Sequence, residues 1–375
     1  EDFGRGVYLI CTGLFKKALT GTLQKDWPDM QDKRIFIGTL ATYIPEQKKF
    51  KEVPADDLYR LFIKNSITCI INTHYANKVQ QLVSAVWLII KNRKAISAAI
   101  MPLYGTYNSI KWYKVIASVL RFYQIPLITV VRGGSIPDQL QGNPDKIKTL
   151  FKNAGTIISP SGYLKDTLRQ ISITAHIIEN PLPLQQYKFI SKQNYRPHIL
   201  WMRTFHEIYN PFMAVHMAAI IAKKYPAFKM VMAGADQGML QQTKNLVHEY
   251  GLHKHISFPG FIDLKQKMQL AIECDIYICT NNVDNAPSTL VECMAMGLPV
   301  VSTNAGGIPW IVKDAYNGLL VNAGDAGAMA EKIEYLINDP AATGNMVKNA
   351  KEYSMQYNED AVLQKWKQLL QNIKT

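Results

Sequence analysis

The chain has 375 residues, 48% hydrophobic and 19% charged, with no low-complexity tract; this excludes long disorder and favours two α/β-sized domains over a single core. Its longest mostly apolar run near the middle, Ala95 to Tyr104, is about half of what a bilayer crossing needs, so no transmembrane helix is expected. The net charge of +13 is uneven: residues 1–182 carry 24 Lys and Arg against 13 Asp and Glu, while residues 183–375 carry 18 against 16. The first half is therefore the one drawn to an anionic partner, whether nucleic acid, a phospholipid surface or a phosphorylated acceptor, with a solvated Lys-rich surface as the plain alternative.

In chain order, Glu1-Asp2-Phe3-Gly4 is not followed by a basic then apolar leader, so no signal peptide is expected. Leu9, Leu14, Phe15 and Ala18 make the run from Gly6 to Leu19 a helix, which leaves the first sheet without an opening strand. Strands are expected at Arg34–Gly38, Thr68–Asn72, Ile96–Met101, Leu127–Val131 and Thr156–Ser159, with helices between them. Pro181 and Pro183, followed by a polar, basic stretch to Pro197, form a linker. The alternation then restarts with strands at His198–Met202, Lys229–Ala233, Ile256–Phe258, Ile276–Cys279 and Pro299–Ser302. Val362, Leu363, Trp366, Leu369, Leu370 and Ile373 place a closing helix at Asp360 to Lys374. The expected fold class is α/β, two Rossmann-like doubly wound parallel-sheet domains facing a cleft: residues 1–182, residues 183–355, and a helix at 356–375 directed back towards the first domain. The odd number and scatter of Cys11, Cys69, Cys274, Cys279 and Cys293 suit reduced, buried thiols and a cytoplasmic setting; neither a disulfide framework nor a zinc site fits.

The stretch from Asp284 to Thr303 carries the chemistry. Pro287 suits the first helical position, with Asp284 to Ala286 turning into the helix and Gly297 stopping it before the strand at Pro299. Free N–H groups of Ser288, Thr289 and Leu290 at the positive end of that helix suit a diphosphate. Asp284 and Glu292 flank them as acceptors for hydroxyls of a sugar on either side.

At these residues the chain resembles the family-4 retaining glycosyltransferases of the GT-B fold. Asp284, seven intervening residues, then Glu292 resembles their paired-acid motif, followed by Ala-Met-Gly-Leu-Pro-Val-Val, Asn304-Ala305-Gly306-Gly307-Ile308-Pro309 and Asn317-Gly318-Leu319-Leu320-Val321. The resemblance implies that Glu292 holds the ribose of a nucleotide diphosphate sugar, UDP- or GDP-linked, that Asp284 contacts the transferred sugar, and that the Ser288–Leu290 amides bind the diphosphate. It also implies that Arg203 bridges the donor phosphates, that Gly260 and Phe261 meet the base, and that Gly6 approaches the phosphate. Arg132-Gly133-Gly134 stands where the family has His-Gly-Gly, so Arg132 joins Arg203 and Asp284 as a catalytic candidate. His74, Tyr104, Gly133 and His206 are cleft or acceptor candidates; the other histidines considered, His216, His248, His253 and His255, are assigned no role.

The sequence departs from the family in having Asp rather than Glu at position 284 and no Lys shortly after Arg203. No Asp-x-Asp motif occurs, so no metal or cofactor is expected beyond the donor itself. The implied function is a retaining hexosyltransferase acting on a glycan, lipid-linked or phosphorylated acceptor in bacterial surface polysaccharide synthesis, cytoplasmic and in peripheral contact with the anionic inner face of the membrane, with no nucleic-acid partner. A non-catalytic nucleotide-sugar-binding protein and a GT-B-fold sugar-nucleotide epimerase remain open. An NAD-binding Rossmann enzyme lacks its Gly-x-Gly-x-x-Gly here.

Overall fold

A computed structural model describes residues 34–38, 43–44, 49–50, 54–72, 75, 77–104, 107–132, 144–151 and 154–373. The helix expected at Gly6 to Leu19, the question of an opening strand, and the site candidates Gly6, His74 and Gly133 lie outside the described residues.

The first sheet is built from β1 (Arg34–Ile37), β4 (Cys69–Ile71), β5 (Ile96–Tyr104), β6 (Leu127–Arg132), β7 (Thr156–Ser159) and β8 (His176–Ile177), in the order β4-β1-β5-β6-β7-β8. Every pairing in it is parallel. A separate antiparallel pair joins β2 (Tyr43–Ile44) to β3 (Lys49–Phe50). Its helices are α1 (Pro54–Lys64), α2 (Lys78–Asn92), α3 (Tyr107–Phe122), α4 (Pro144–Phe151) and α5 (Gly162–Arg169). Asn77 starts α2 by accepting from the Val79 and Gln80 amides, and Ser161 starts α5 by accepting from the Leu164 amide. One continuous core, including Phe36, Ala99, Met101, Trp112 and Ile116, lies between this sheet and its helices.

The second sheet comprises β9 (His198–Met202), β10 (Lys229–Ala233), β11 (Ile256–Gly260), β12 (Ile276–Cys279), β13 (Val300–Thr303) and β14 (Leu319–Val321), all parallel, in the order β11-β10-β9-β12-β13-β14. Counted from β9 this is 3-2-1-4-5-6, the doubly wound order, whose ligands bind beyond the carboxyl ends of the strands where the order reverses, here between β9 and β12. Side chains alternate along β9: Ile199 and Trp201 enter one core with α6 (Pro211–Lys224), α7 (Leu240–Glu249) and α11 (Ala326–Asn338), and Leu200 and Met202 enter the other. That second core contains α8 (Leu264–Glu273), α9 (Ser288–Met296), α10 (Ile308–Ile311) and part of α12 (Pro340–Ser354). With both faces covered, the strands read as the nearly unbroken apolar runs seen in the sequence.

The chain crosses from the first sheet to the second between β8 and β9. Lys192, Arg196 Nε and the Arg196 amide all donate to the buried Asp275 carboxylate, at 2.5, 2.8 and 2.8 Å, which ties this crossing to the start of β12. The last helix, α13 (Glu359–Asn372), packs on α1 through an edge-to-face contact of Trp366 with Phe62 and an ion pair of Glu359 with Lys64 at 2.8 Å. The short strands β8 and β14 and the β2–β3 pair were not expected as strands, and β5 runs three residues beyond its expected end, to Tyr104.

Candidate functional site

The carboxyl ends of strands from both sheets meet around a cavity of about 300 Å³ lined by Tyr104, Arg132, Pro160, Asn180, Ile208, Tyr209, Val283, Asp284, Asn285 and Ala286. Tyr104 ends β5 and Arg132 ends β6; Asp284 lies on the loop leaving β12 and Tyr209 on the loop leaving β9. Ser161, at the start of α5, donates to the Asn285 side chain at 2.5 Å, and Trp310 of α10 donates to Asp166 of α5 at 3.1 Å. These contacts hold the two strand-end edges against each other. The close approach requires glycine at position 162, where a Cβ would sit 1.9 Å from the Trp310 ring.

On the second sheet, Arg203 follows β9 directly, and its guanidinium forms an ion pair with Asp284, lies over the Tyr209 ring at 4.3 Å and reaches Thr289 Oγ1 at 3.4 Å. Burial disfavours the guanidinium's charge, and Asp284, together with Cys279, Tyr277 and Tyr209 around it, more than restores it. Burial in turn raises the Asp284 carboxyl, opposed by Arg203, the Ala286 and Asn285 amides and the Asn281 side chain, which donates to it at 2.8 Å. The loop is shaped from behind by Gly306 and Gly307. Gly306 has φ of 55° and room for no Cβ beside the Asp284 carbonyl, and the Gly307 amide donates to that carbonyl at 2.7 Å.

The start of α9 corrects the sequence reading in two respects. Pro287 is the capping residue rather than the first helical residue, with an extended φ, ψ of −68°, 107°. Its carbonyl accepts from the Leu290 amide at 3.2 Å, so Leu290 is not free for an anion. Among the described residues the Ser288 and Thr289 amides donate to no backbone carbonyl, and they remain at the positive end of the helix. The Thr289 hydroxyl is fixed by Arg203 and by the Tyr277 hydroxyl at 3.0 Å.

Glu292, one turn into α9, is buried and paired with Lys267 of α8 at 2.7 Å, beside the Tyr187 phenol, whose ionisation is suppressed by burial and by the Glu292 charge. Gly260 and Phe261 sit at the end of β11, on the same edge of the sheet but outside the cavity lining, with Phe261 exposed. His206 is also outside the lining; its Nδ1 accepts from the Ile208 amide and caps a short 3-10 turn.

Arg132 is only 9% exposed, and among the described residues its side chain donates to the neutral Asn180 side chain at 2.7 Å. Among the described residues it forms no ion pair, and burial lowers its pKa from the usual value. Tyr104 stands beside it with a buried hydroxyl that has no hydrogen-bond partner among the described residues. Tyr209, Asn285 and Lys267 were not singled out from the sequence. The Lys267 pairing depends on the α8–α9 packing, which no local pattern encodes, whereas Asn285 adjoins the motif and could have been marked as part of its loop. Among the described residues no three His, Cys, Asp or Glu side chains come together as a metal-holding group, and the described cysteines, Cys69, Cys274, Cys279 and Cys293, are free thiols.

Known proteins resemble this chain on two scales. Over its whole fold it is similar to Anabaena HepE, in the structure with UDP at a TM-score of 0.72 and 17% identity, covering 90% of this chain and 99% of that one. The structure of HepE with UDP-glucose gives a TM-score of 0.69 at 18% identity, with the same coverage. In sequence it is 28% identical over 126 residues to the lipopolysaccharide core biosynthesis glycosyltransferase LpsE of Rhizobium meliloti, spanning 33% of this chain and 36% of that protein. It is 27% identical over 106 residues, 28% of each chain, to the N,N'-diacetylbacillosaminyl-diphospho-undecaprenol alpha-1,3-N-acetylgalactosaminyltransferase of Campylobacter jejuni. The chain thus matches little more than a third of the first of these relatives and less of the second. Residues 186–353, which contain the whole second sheet, match the family described as Glycosyl transferases group 1, and the two six-stranded parallel sheets form a GT-B fold.

Proposed function

We propose that the chain is a retaining, family-4-type hexosyltransferase that moves a sugar from a UDP- or GDP-linked donor to a glycan, lipid-linked or phosphorylated acceptor in bacterial surface polysaccharide synthesis. The observation that carries this reading is the convergence on one cavity of a buried cation from the first sheet, Arg132, and the Asp284 carboxylate from the second, with Arg203 paired to Asp284 and reaching Thr289 at the start of α9 behind the lining. Cavities from about 300 Å³ upward hold small molecules, which suits a diphosphate and one sugar. In this reading residues 183–355 bind the donor, residues 1–182 bind the acceptor, and residues 356–375 close back on the first domain.

Arg203, the Ser288 and Thr289 amides and Arg132 hold the diphosphate and stabilise the charge it gains as the sugar C1–O bond breaks. The acceptor oxygen bonds to C1 on the same face, and its proton passes to the departing phosphate oxygen. Asp284 receives a sugar hydroxyl once donor phosphate shares Arg203 with it, and Glu292 receives the ribose through the carboxylate oxygen that Lys267 leaves open. Gly260 and Phe261 lie where the base would extend along the strand ends. The UDP and UDP-glucose held by HepE, the lipid-linked acceptor in the name of the Campylobacter relative and the excess of cations in residues 1–182 support the substrate classes and a position at the inner face of the membrane.

Thermal-shift measurements against UDP-, GDP- and ADP-sugars test the donor, since only a ligand of the folded state raises the melting temperature. Transfer with the anomeric configuration followed by NMR tests the reaction. Absence of stabilisation by every nucleotide sugar would overturn the donor site, and an inverted anomeric product would overturn the retaining course.

A further inference from the structure

Helix α2 has an apolar face that the described residues leave uncovered. Its buried side, Gln81, Ala85 and Ile89, packs on the first sheet, while Val79, Val83, Trp87 and Ile90 are 67%, 60%, 55% and 39% exposed. These four residues fall at i, i+4, i+8 and i+11, so they form one stripe along the outside of the helix. Exposed Tyr75 extends it past the helix start, and the stripe borders a shallow groove with Gln80, Ser84 and Leu88. The adjoining helix α3 adds exposed Val115 and, at its end, Phe122, 79% exposed. A surface helix ordinarily turns charged residues outward. Here a contiguous apolar ridge faces solvent, which marks an interaction surface.

The charge around the ridge identifies the partner. Residues 58–137 contain ten Lys and Arg and no Asp or Glu. Lys91, Arg93 and Lys94 cluster at the end of α2, exposed, with Lys91 over the Trp87 ring at 4.6 Å. Lys111, Lys114 and Arg121 lie exposed on α3. A Trp-bearing apolar stripe flanked by cations and free of carboxylates has the composition of a helix that lies in the headgroup region of an anionic bilayer. A second copy meeting this face with its own would bring cations against cations, since the stretch supplies no carboxylate.

We propose that the exposed face of α2, with the cations of α2 and α3, seats the protein on an anionic phospholipid surface, the apolar stripe entering the interface and the Lys and Arg meeting the headgroups. The helix begins at the carboxyl edge of the first sheet, the edge where Tyr104 and Arg132 stand, so the bilayer would lie beside the acceptor side of the cavity. The surface deepens the membrane contact proposed above but does not rest on transferase activity, and its failure would leave the donor site standing, because donor binding is measured without vesicles.

The test is co-sedimentation of the full chain with vesicles of phosphatidylcholine alone and of phosphatidylcholine with phosphatidylglycerol. Binding is expected only to the anionic vesicles and weakens as salt rises. Combining Lys91→Glu, Arg93→Glu and Lys94→Glu lowers it by roughly fivefold or more per cation. The pair Val83→Glu and Trp87→Glu, at exposed positions that leave the melting temperature unchanged, abolishes it. Quenching of tryptophan fluorescence by brominated lipid is lost in Trp87→Phe while binding persists. Equal binding to neutral vesicles, undiminished binding of the Val83→Glu/Trp87→Glu variant, or a concentration-dependent dimer that this variant dissolves without any vesicle binding would each overturn the proposal.

Discussion

Replacing Arg132 with Met separates a functional cation from a structural one, because the two roles predict opposite signs. Arg132 is 9% exposed and donates at 2.7 Å to the neutral Asn180 amide, with no carboxylate paired to it among the described residues. Holding a charge in such a place costs several kcal/mol even after relaxation, about 1.5–3 kcal/mol of which the charge-assisted bond to Asn180 returns. Met fills similar volume without the charge, so the free protein should become more stable by on the order of 1–2 kcal/mol, a rise of roughly 2–4 °C in melting temperature. Donor binding should move the other way, losing one charge-assisted contact to phosphate, about 10- to 150-fold in Kd. Differential scanning fluorimetry with and without the stabilising nucleotide sugar reads both effects in one experiment. A lower melting temperature together with an unchanged donor-induced shift would refute the reasoning and make Arg132 a packing residue.

Three further outcomes are expected. Arg203→Ala should abolish the donor-induced thermal shift and, by leaving the Asp284 carboxylate with only Asn281 and the loop amides, destabilise the free protein by up to about 3 kcal/mol in urea titrations; an intact donor shift would remove Arg203 from the site. Asp275 is 1% exposed, and although burial raises its carboxyl, the hydrogen bonds from Arg196 and Lys192 bring it below the usual carboxylate range. A depressed folded-state value means the stabilisation is present above the unfolded carboxylate pKa of about 3.9 and is lost as pH falls through the folded value, so Asp275→Asn should cost about 3–5 kcal/mol at neutral pH and flatten that acid limb. Sugar transfer should persist in EDTA, because the charge on the leaving diphosphate is met by Arg203, Arg132 and the α9 start; activity lost in EDTA and restored by magnesium would contradict this.

Much of the second sheet was legible because its constraints are local. Ile199 to Met202, Ile276 to Cys279 and Val300 to Thr303 are buried on both faces, so they stand out as apolar runs, and β9, β10 and β12 have the bounds expected from the sequence. The Asp284–Gly307 segment was legible for a different reason: the glycines at 306 and 307 are required by the backbone of the Asp284 loop, and Gly297, at φ of 89°, by the stop of α9 beside Ile190. The two-residue strand β8 and the three-residue β14 carry too few side chains to show a period. Capping geometry escaped as well. Proline fits both the capping and the first helical position, and only the backbone shows that Pro287 caps and that its carbonyl engages the Leu290 amide.

Sequence could not distinguish the two arginines of the site, and the structure gives them different electrostatic states. Arg203 is already matched to Asp284 in the free protein, so a donor phosphate bound as proposed would share or displace that carboxylate, part of its attraction offsetting the lost pair. Arg132 has no such competitor among the described residues and presents its charge to the same cavity at a standing cost in stability. The shorter Asp at 284 and the missing lysine after Arg203 therefore need not mean a lost activity. In the proposed reading a second cation from the opposite sheet supplies the charge that the second sheet lacks, and that requires both edges to be held together by contacts such as Ser161 with Asn285 and Trp310 with Asp166. Loosening those contacts should weaken donor binding in the native protein but not in an Arg132→Met background, a dependence that a purely second-sheet donor site would not produce.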